Sequence, residues 1–260
     1  MTSFAKGPDG AHIAFQAEGS GPPLLLLAGQ ANNHRWWDSV RGDFTAARTT
    51  ISLDYRGTGD SDAPDVPYST RLFAEDAVAV LDELGADRAD VYGTSMGGRV
   101  AQWIAVHHPE RVRRLVLGCT SPGGRHAVER TMEVRRSLAA PDRDAARRAL
   151  IDLMYTPAWQ AAHPGPYGTL GDPDIPPHAR RGHLVASARH DAWDHLPAIR
   201  AATLVMHGTE DLLTPAVNAR TLTERIPGAR LFLIEGARHA YFEEFRDTAG
   251  PAVLDFLTSG

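Results

Sequence analysis

Residues 89–105 read Ala89-Asp90-Val91-Tyr92-Gly93-Thr94-Ser95-Met96-Gly97-Gly98-Arg99-Val100-Ala101-Gln102-Trp103-Ile104-Ala105, and this stretch decides the fold. Its first four residues suit a buried strand, and the run from Gly98 suits a helix. Between them stands a serine flanked by Gly93 and Gly97. A turn this tight leaves almost no room for side chains at its flanking positions, which is what glycine supplies. The turn lifts the serine oxygen clear of the sheet, above the positive end of the following helix.

Two later segments end in residues that could serve that serine. The apolar run Thr203-Leu204-Val205-Met206-His207 leads into Gly208-Thr209-Glu210-Asp211. The run Arg230-Leu231-Phe232-Leu233-Ile234 leads into Glu235-Gly236-Ala237-Arg238-His239. A serine in a strand–turn–helix, then an acid, then a histidine is the chain order of one hydrolase architecture. With Gly-x-Ser-Met-Gly-Gly at the turn, the chain resembles the α/β-hydrolase fold superfamily over nearly its whole length. Its general resemblance is to the esterase and enol-lactonase-like branch. The fold class so implied is α/β, a mostly parallel sheet flanked by helices with a helical cap insertion.

The bulk composition agrees with a soluble α/β domain. The chain has 260 residues, 43 % of them hydrophobic and 23 % charged, ordinary values for a globular protein. A formal net charge of -5 gives no reason to expect a nucleic-acid partner. The single cysteine, Cys119, excludes an intrachain disulfide and reads as a buried, inert thiol. Met1 to Gly10 lacks the pattern of a signal peptide, and Leu24-Leu25-Leu26-Leu27 is only strand-sized. The expectation is a cytoplasmic enzyme without a membrane partner; oligomeric state stays open.

Outward from the elbow, Ala11 to Glu18 suits an early edge strand, Pro23 to Ala28 a strand covered on both faces, and Thr49 to Asp54 the next. Ser69 suits the cap of a helix from Thr70 to Leu84, ended by Gly85. Alternating strands and helices imply right-handed crossovers. The rhythm breaks after Ser121: Val128 to Ala139 and Arg143 to Tyr155 look helical, while prolines and Tyr167 to Pro177 look loop-like. This divides the chain into a core of residues 1–121 and 197–260 and a helical cap of residues 122–196. Asp247 to Leu257 reads as the closing helix.

The resemblance assigns roles. Ser95 is the nucleophile, His239 the general base and later acid, and Asp211 the carboxylate that orients the imidazole, with Glu210 beside it as a decoy. One oxyanion donor is the backbone N–H of Met96. The second lies after the strand Leu24 to Ala28, where the family usually writes His-Gly. This chain has Ala28-Gly29-Gln30, which carries the role to the Gln30 N–H and alters the packing behind the loop. Asn32, Asn33, Trp36, Trp37, Trp159 and Trp193 are candidate pocket residues. Asp54-Tyr55-Arg56-Gly57-Thr58-Gly59-Asp60-Ser61 resembles a family loop and reads as a braced turn at the rim rather than a phosphate cradle.

Twelve histidines make isolated ones uninformative. His107 and His108 suit a helix end, and His190, Asp191, Asp194 and His195 match no compact metal motif, so no metal and no cofactor is expected. The resulting expectation is a serine hydrolase acting on a carboxylic ester or lactone of a small molecule through an acyl-enzyme. Thioester cleavage, carbon–carbon bond hydrolysis and cofactor-free perhydrolysis on the same residues stay open, as does a binding protein that keeps the fold.

Overall fold

The computed structural model describes residues 2–259. Its chain opens with β1 (Ser3–Lys6) and β2 (His12–Gly19), followed by β3 (Pro23–Leu27), the short helix α1 (Asp38–Thr45) and β4 (Thr49–Leu53). Then come α2 (Thr70–Glu83), β5 (Ala89–Thr94), α3 (Met96–His107) and β6 (Val112–Gly118). After a long excursion the chain returns as β7 (Ala202–Gly208) and β8 (Arg230–Ile234). The eight strands form one sheet in the order β1-β2-β4-β3-β5-β6-β7-β8. β1 and β2 pair antiparallel, as do β2 and β4; every other neighbouring pair is parallel.

Local chemistry accounts for these elements. Leu24 to Leu27 are all fully buried, as a strand sandwiched between helix layers requires. The hydroxyl of Ser69 accepts from the Leu72 N–H and starts α2, and Gly85 ends it with φ 65°. One expectation needs correction: residues 11–18 do not form the sheet edge. That place belongs to β1, a four-residue strand that buries only Ala5 and so shows no readable alternation.

The segment between β6 and β7 holds four α-helices: α4 (Met132–Leu138), α5 (Arg143–Met154), α6 (Pro157–Ala162) and α7 (Pro177–Ala188). Thr131, Asp142 and Thr156 cap the first three with their side-chain oxygens. α4 is shorter than the sequence pattern suggests, since its N-cap is Thr131 rather than a residue near Val128. α7 hides in the sequence because Pro177 and its polar residues read as loop, although proline at a first helical position costs no hydrogen bond. Beyond β7, the chain adds α8 (Val217–Arg225), the one-turn α9 (Tyr241–Glu244) and the closing helix α10 (Arg246–Thr258). No helix among the described residues is long and apolar enough to cross a membrane.

The loop after β4 is braced from within. Arg56 is fully buried and reaches Asp76, also fully buried, at 2.6 Å and Asp9 at 2.8 Å. Asp54 accepts from the His34 N–H at 2.7 Å and from the Asp60 N–H at 3.0 Å. Removing one partner of a buried pair strands the other charge. Arg56→Met is therefore expected to destabilise the fold by about 3–5 kcal/mol, read as a lower midpoint in urea unfolding with unchanged slope.

Candidate active site

Parallel strands deliver their outgoing loops to one edge of the sheet. Ser95 follows β5, Asp211 follows β7 and His239 follows β8, so the topology carries all three to that edge.

The turn at Ser95 is strained and crowded. Its φ of 55° and ψ of -121° lie where a side chain is disfavoured. Its N–H donates to the Gly118 carbonyl at 2.9 Å, and its own carbonyl accepts from the Thr120 hydroxyl at 2.7 Å. A Cβ at Gly93 would lie 2.2 Å from the Gly97 oxygen, and one at Gly97 would lie 2.1 Å from the Leu27 oxygen. Both glycines are therefore obligatory. The Ser95 side chain is half-buried, and its hydroxyl makes no hydrogen bond to any described residue.

Asp211 and His239 form a buried pair. The Asp211 carboxylate accepts from His239 Nδ1 at 2.7 Å through one oxygen. Its other oxygen accepts the Leu213 and Thr214 N–H groups at 2.9 and 2.8 Å. His207 lies below, with Nε2 donating to the Thr214 carbonyl at 2.7 Å and standing 3.1 Å from Asp211. Burial pushes the Asp211 carboxyl up. The His239 charge, the His207 contact and the His239 hydrogen bond outweigh it and hold the group well below the usual carboxylate range. His239 Nε2, opposite the nitrogen that faces Asp211, is buried and has no hydrogen-bond partner among the described residues. The neighbouring Glu210 is exposed.

The turn after β3 offers a free N–H. The Asn32 N–H donates to the Gly29 carbonyl at 3.3 Å, which closes a turn with Gln30 and Ala31 at its centre. Neither the Gln30 N–H nor the Met96 N–H has an acceptor among the described residues. Where histidine is absent at position 28, Trp36 packs its ring onto Gly29 and donates its Nε1–H to Thr94 Oγ1 at 2.9 Å.

The structure gives most of the candidate pocket residues other work. Asn32 spends its amide on backbone partners, accepting from the Gly171 N–H at 2.8 Å and donating to the Gln30 carbonyl at 2.9 Å. Asn33 accepts from the Arg35 N–H and caps the next turn. Trp36 and Trp37 are both buried, and Trp37 packs against Tyr92 and Phe242 in the core. Trp193 is sandwiched between His126 and Arg225. Trp159 stacks on His163 at 3.6 Å and extends towards Tyr155 in the insertion. His190 is buried and contacts Thr70 at 3.0 Å and Gln102 at 3.3 Å. No cluster among the described residues is suited to hold a metal ion.

Several groups at this edge carry no sequence signal. From the end of α5, the Leu153 and Met154 carbonyls accept the His239 and Ala240 N–H groups at 3.3 and 2.9 Å. From α7, His183 Nδ1 accepts the Ala31 N–H at 3.2 Å, and its Nε2 donates to the Arg56 carbonyl at 3.0 Å. A partner that only donates on one side and one that only accepts on the other fix the neutral tautomer.

Comparison with known proteins supplies a family. Residues 22–245 match the family model described as alpha/beta hydrolase fold. A 2-hydroxymuconate semialdehyde hydrolase of Pseudomonas sp. (strain CF600) is 33 % identical, with 92 % of this chain and 88 % of that one covered. Among solved structures, Est816, titled an N-acyl homoserine lactone degrading enzyme, superposes with a TM-score of 0.86 at 28 % identity, covering 98 % of this chain and 100 % of that chain. An esterase from Exiguobacterium antarcticum superposes with a TM-score of 0.86 at 26 % identity, covering 100 % of both.

Two of the buried histidines, His183 and His190, predict an acid-sensitive fold. Burial lowers His183 from 6.5 to about 4, and burial with the nearby Arg99 charge holds His190 well below its ordinary value. As pH falls from 6.5 towards 4, the unfolded chain binds protons at these positions while the folded chain does not. Stability therefore drops across that window, with roughly 3 kcal/mol attributable to His183. Urea unfolding at stepped pH should show this loss, and His183→Gln should remove its share.

Proposed function

The chain belongs to the α/β-hydrolase fold family, and within it we propose a serine hydrolase that cleaves a carboxylic ester or lactone of a small molecule through an acyl-enzyme. The observation that carries this reading is the His239 imidazole. Its Nδ1 is bonded to Asp211 at 2.7 Å, and its Nε2 has no partner among the described residues, at the carboxyl end of the strands that also carries Ser95. A carboxylate on Nδ1 sets the tautomer that leaves Nε2 as a base and stabilises the imidazolium once formed.

The proposed sequence follows. Ser95 Oγ attacks the substrate carbonyl carbon as its proton passes to His239 Nε2. The oxyanion sits between the Met96 and Gln30 N–H groups, neither of which has an acceptor among the described residues. The intermediate collapses, the bond to the leaving oxygen breaks, and that oxygen takes the proton from Nε2. Water then gives a proton to Nε2 and attacks the acyl carbon; collapse returns the proton to Ser95 and frees the acid. We read residues 122–196 as a cap that shapes the acyl and alcohol sites. A lactone-degrading enzyme and an esterase among the structural neighbours support this substrate class.

A fluorophosphonate probe tests the reading. The wild type should form a covalent adduct at Ser95, and Ser95→Ala should abolish labelling with no loss of thermal stability. Asp211→Asn should lower kcat by about 10⁴-fold, since the imidazole loses its tautomer control. A panel of p-nitrophenyl esters, lactones and acyl thioesters should rank oxygen esters or lactones first. Preference for thioesters would redirect the substrate class, and a wild type inert to the probe would overturn the enzyme reading.

A further inference from the structure

Ala31 is the second central residue of the turn Gly29–Asn32, and its φ is 59°. A positive φ at that place belongs to a type II turn and favours glycine. Left to itself, an alanine there relaxes by flipping the preceding peptide, which gives the common type I turn. The Gln30–Ala31 peptide is held at both ends against that flip. Its N–H donates to His183 Nδ1 at 3.2 Å, and its carbonyl accepts from Asn32 Nδ2 at 2.9 Å. Further along, the Ala31 carbonyl accepts the Asp172 N–H at 2.7 Å, and Asn32 Oδ1 accepts the Gly171 N–H at 2.8 Å.

We propose that His183 and Asn32 are positioning residues of the oxyanion turn: together they lock the Gln30–Ala31 peptide, and with it the conformation of the turn whose Gln30 N–H faces the reacting carbonyl. The inference rests on the assignment of Gln30 as an oxyanion donor made above. His183 is fully buried, and both its nitrogens are committed, Nδ1 to the turn and Nε2 to the Arg56 carbonyl. It is thus a rigid strut between two loops of the core, supplied by a helix of the insertion. A flipped peptide reverses the dipole next to the Gln30 N–H and breaks the two bonds that anchor the turn carrying it. Catalysis by such donors depends on their being aimed before charge develops, so the loss appears in the transition state more than in substrate binding.

The test uses steady-state kinetics on the best p-nitrophenyl ester of the wild type, with a boronic acid as transition-state analogue. His183→Leu keeps the volume and removes the acceptor; it should lower kcat by about 10–100-fold with KM within about twofold, and weaken the boronic acid in parallel. His183→Gln, which offers an acceptor and a donor, should recover most of the loss. Adding Ala31→Gly to His183→Leu should also recover activity, because glycine holds a positive φ without a brace. Asn32→Ala leaves the His183 packing in place and should show the same pattern, so the proposal stays exposed even where the leucine variant does not fold. Wild-type kcat in Asn32→Ala and in a folded His183→Leu, or a loss confined to KM, overturns the positioning role while leaving the hydrolase reading intact. A wild type that neither turns over nor labels at Ser95 removes the hydrolase reading, and this inference with it.

Discussion

The first turn of α3 lies so close to the end of β3 that only a hydrogen atom fits between them. The Leu27 carbonyl occupies the place where a side chain at Gly97 would stand. This contact brings the Ser95 turn and the Gly29–Asn32 turn side by side, and strain gathers around it. The three non-glycine residues with positive φ among the described residues are Ala31, Ser95 and Cys119, which follow β3, β5 and β6. These are neighbouring strands of the parallel part of the sheet. Backbone held away from its preferred conformations persists only where surrounding contacts over-determine it, and here such contacts come from the sheet below and the insertion above.

The insertion is bonded to two of the loops that the proposed chemistry needs. α5 ends with its carbonyls on the His239 and Ala240 N–H groups, and Thr156 bonds its N–H to the Glu244 carboxylate at 2.9 Å. Tyr155 contacts Glu243 as well, and Arg238 donates to the Tyr155 carbonyl at 3.1 Å. On the other side, residues 171–183 grip the turn that follows β3. Between these two grips, Arg99 in α3 donates to the Ser187 carbonyl and hydroxyl and to the Ser121 hydroxyl. The helices between β6 and β7 therefore brace these loops by direct hydrogen bonds.

Legibility in the sequence followed the range of each interaction. The elbow, the strands β3 to β8 and the helix α2 announce themselves through local apolar patterning, a capping serine and terminal glycines. Ser95, Asp211 and His239 stand out because each directly follows a readable strand. The first strand was too short to show a pattern. α7 begins with proline and carries histidine and arginine, so periodicity did not reveal it. His183 is one of twelve histidines and has no local motif; its partner Ala31 lies 152 positions away. The aromatic residues after the β3 turn suggest a pocket, but Trp37 fills the core and the Trp36 ring packs onto Gly29. Contacts set by tertiary packing leave no trace in spacing, and most of the bracing is of that kind.

The grip of α5 on the His239 loop bears on how such enzymes can be recombined. A chimaera that transplants a foreign segment between β6 and β7 exchanges more than four α-helices. It also removes the α5 end that places the Leu153 and Met154 carbonyls, and the strut from His183. A recipient scaffold would then keep its sheet and its Ser95 turn yet lose registration at both braced loops. Grafts that carry the junction residues 152–156 and 171–183 along with the transplanted helices preserve that registration, and those two short stretches mark where crossover points should not fall.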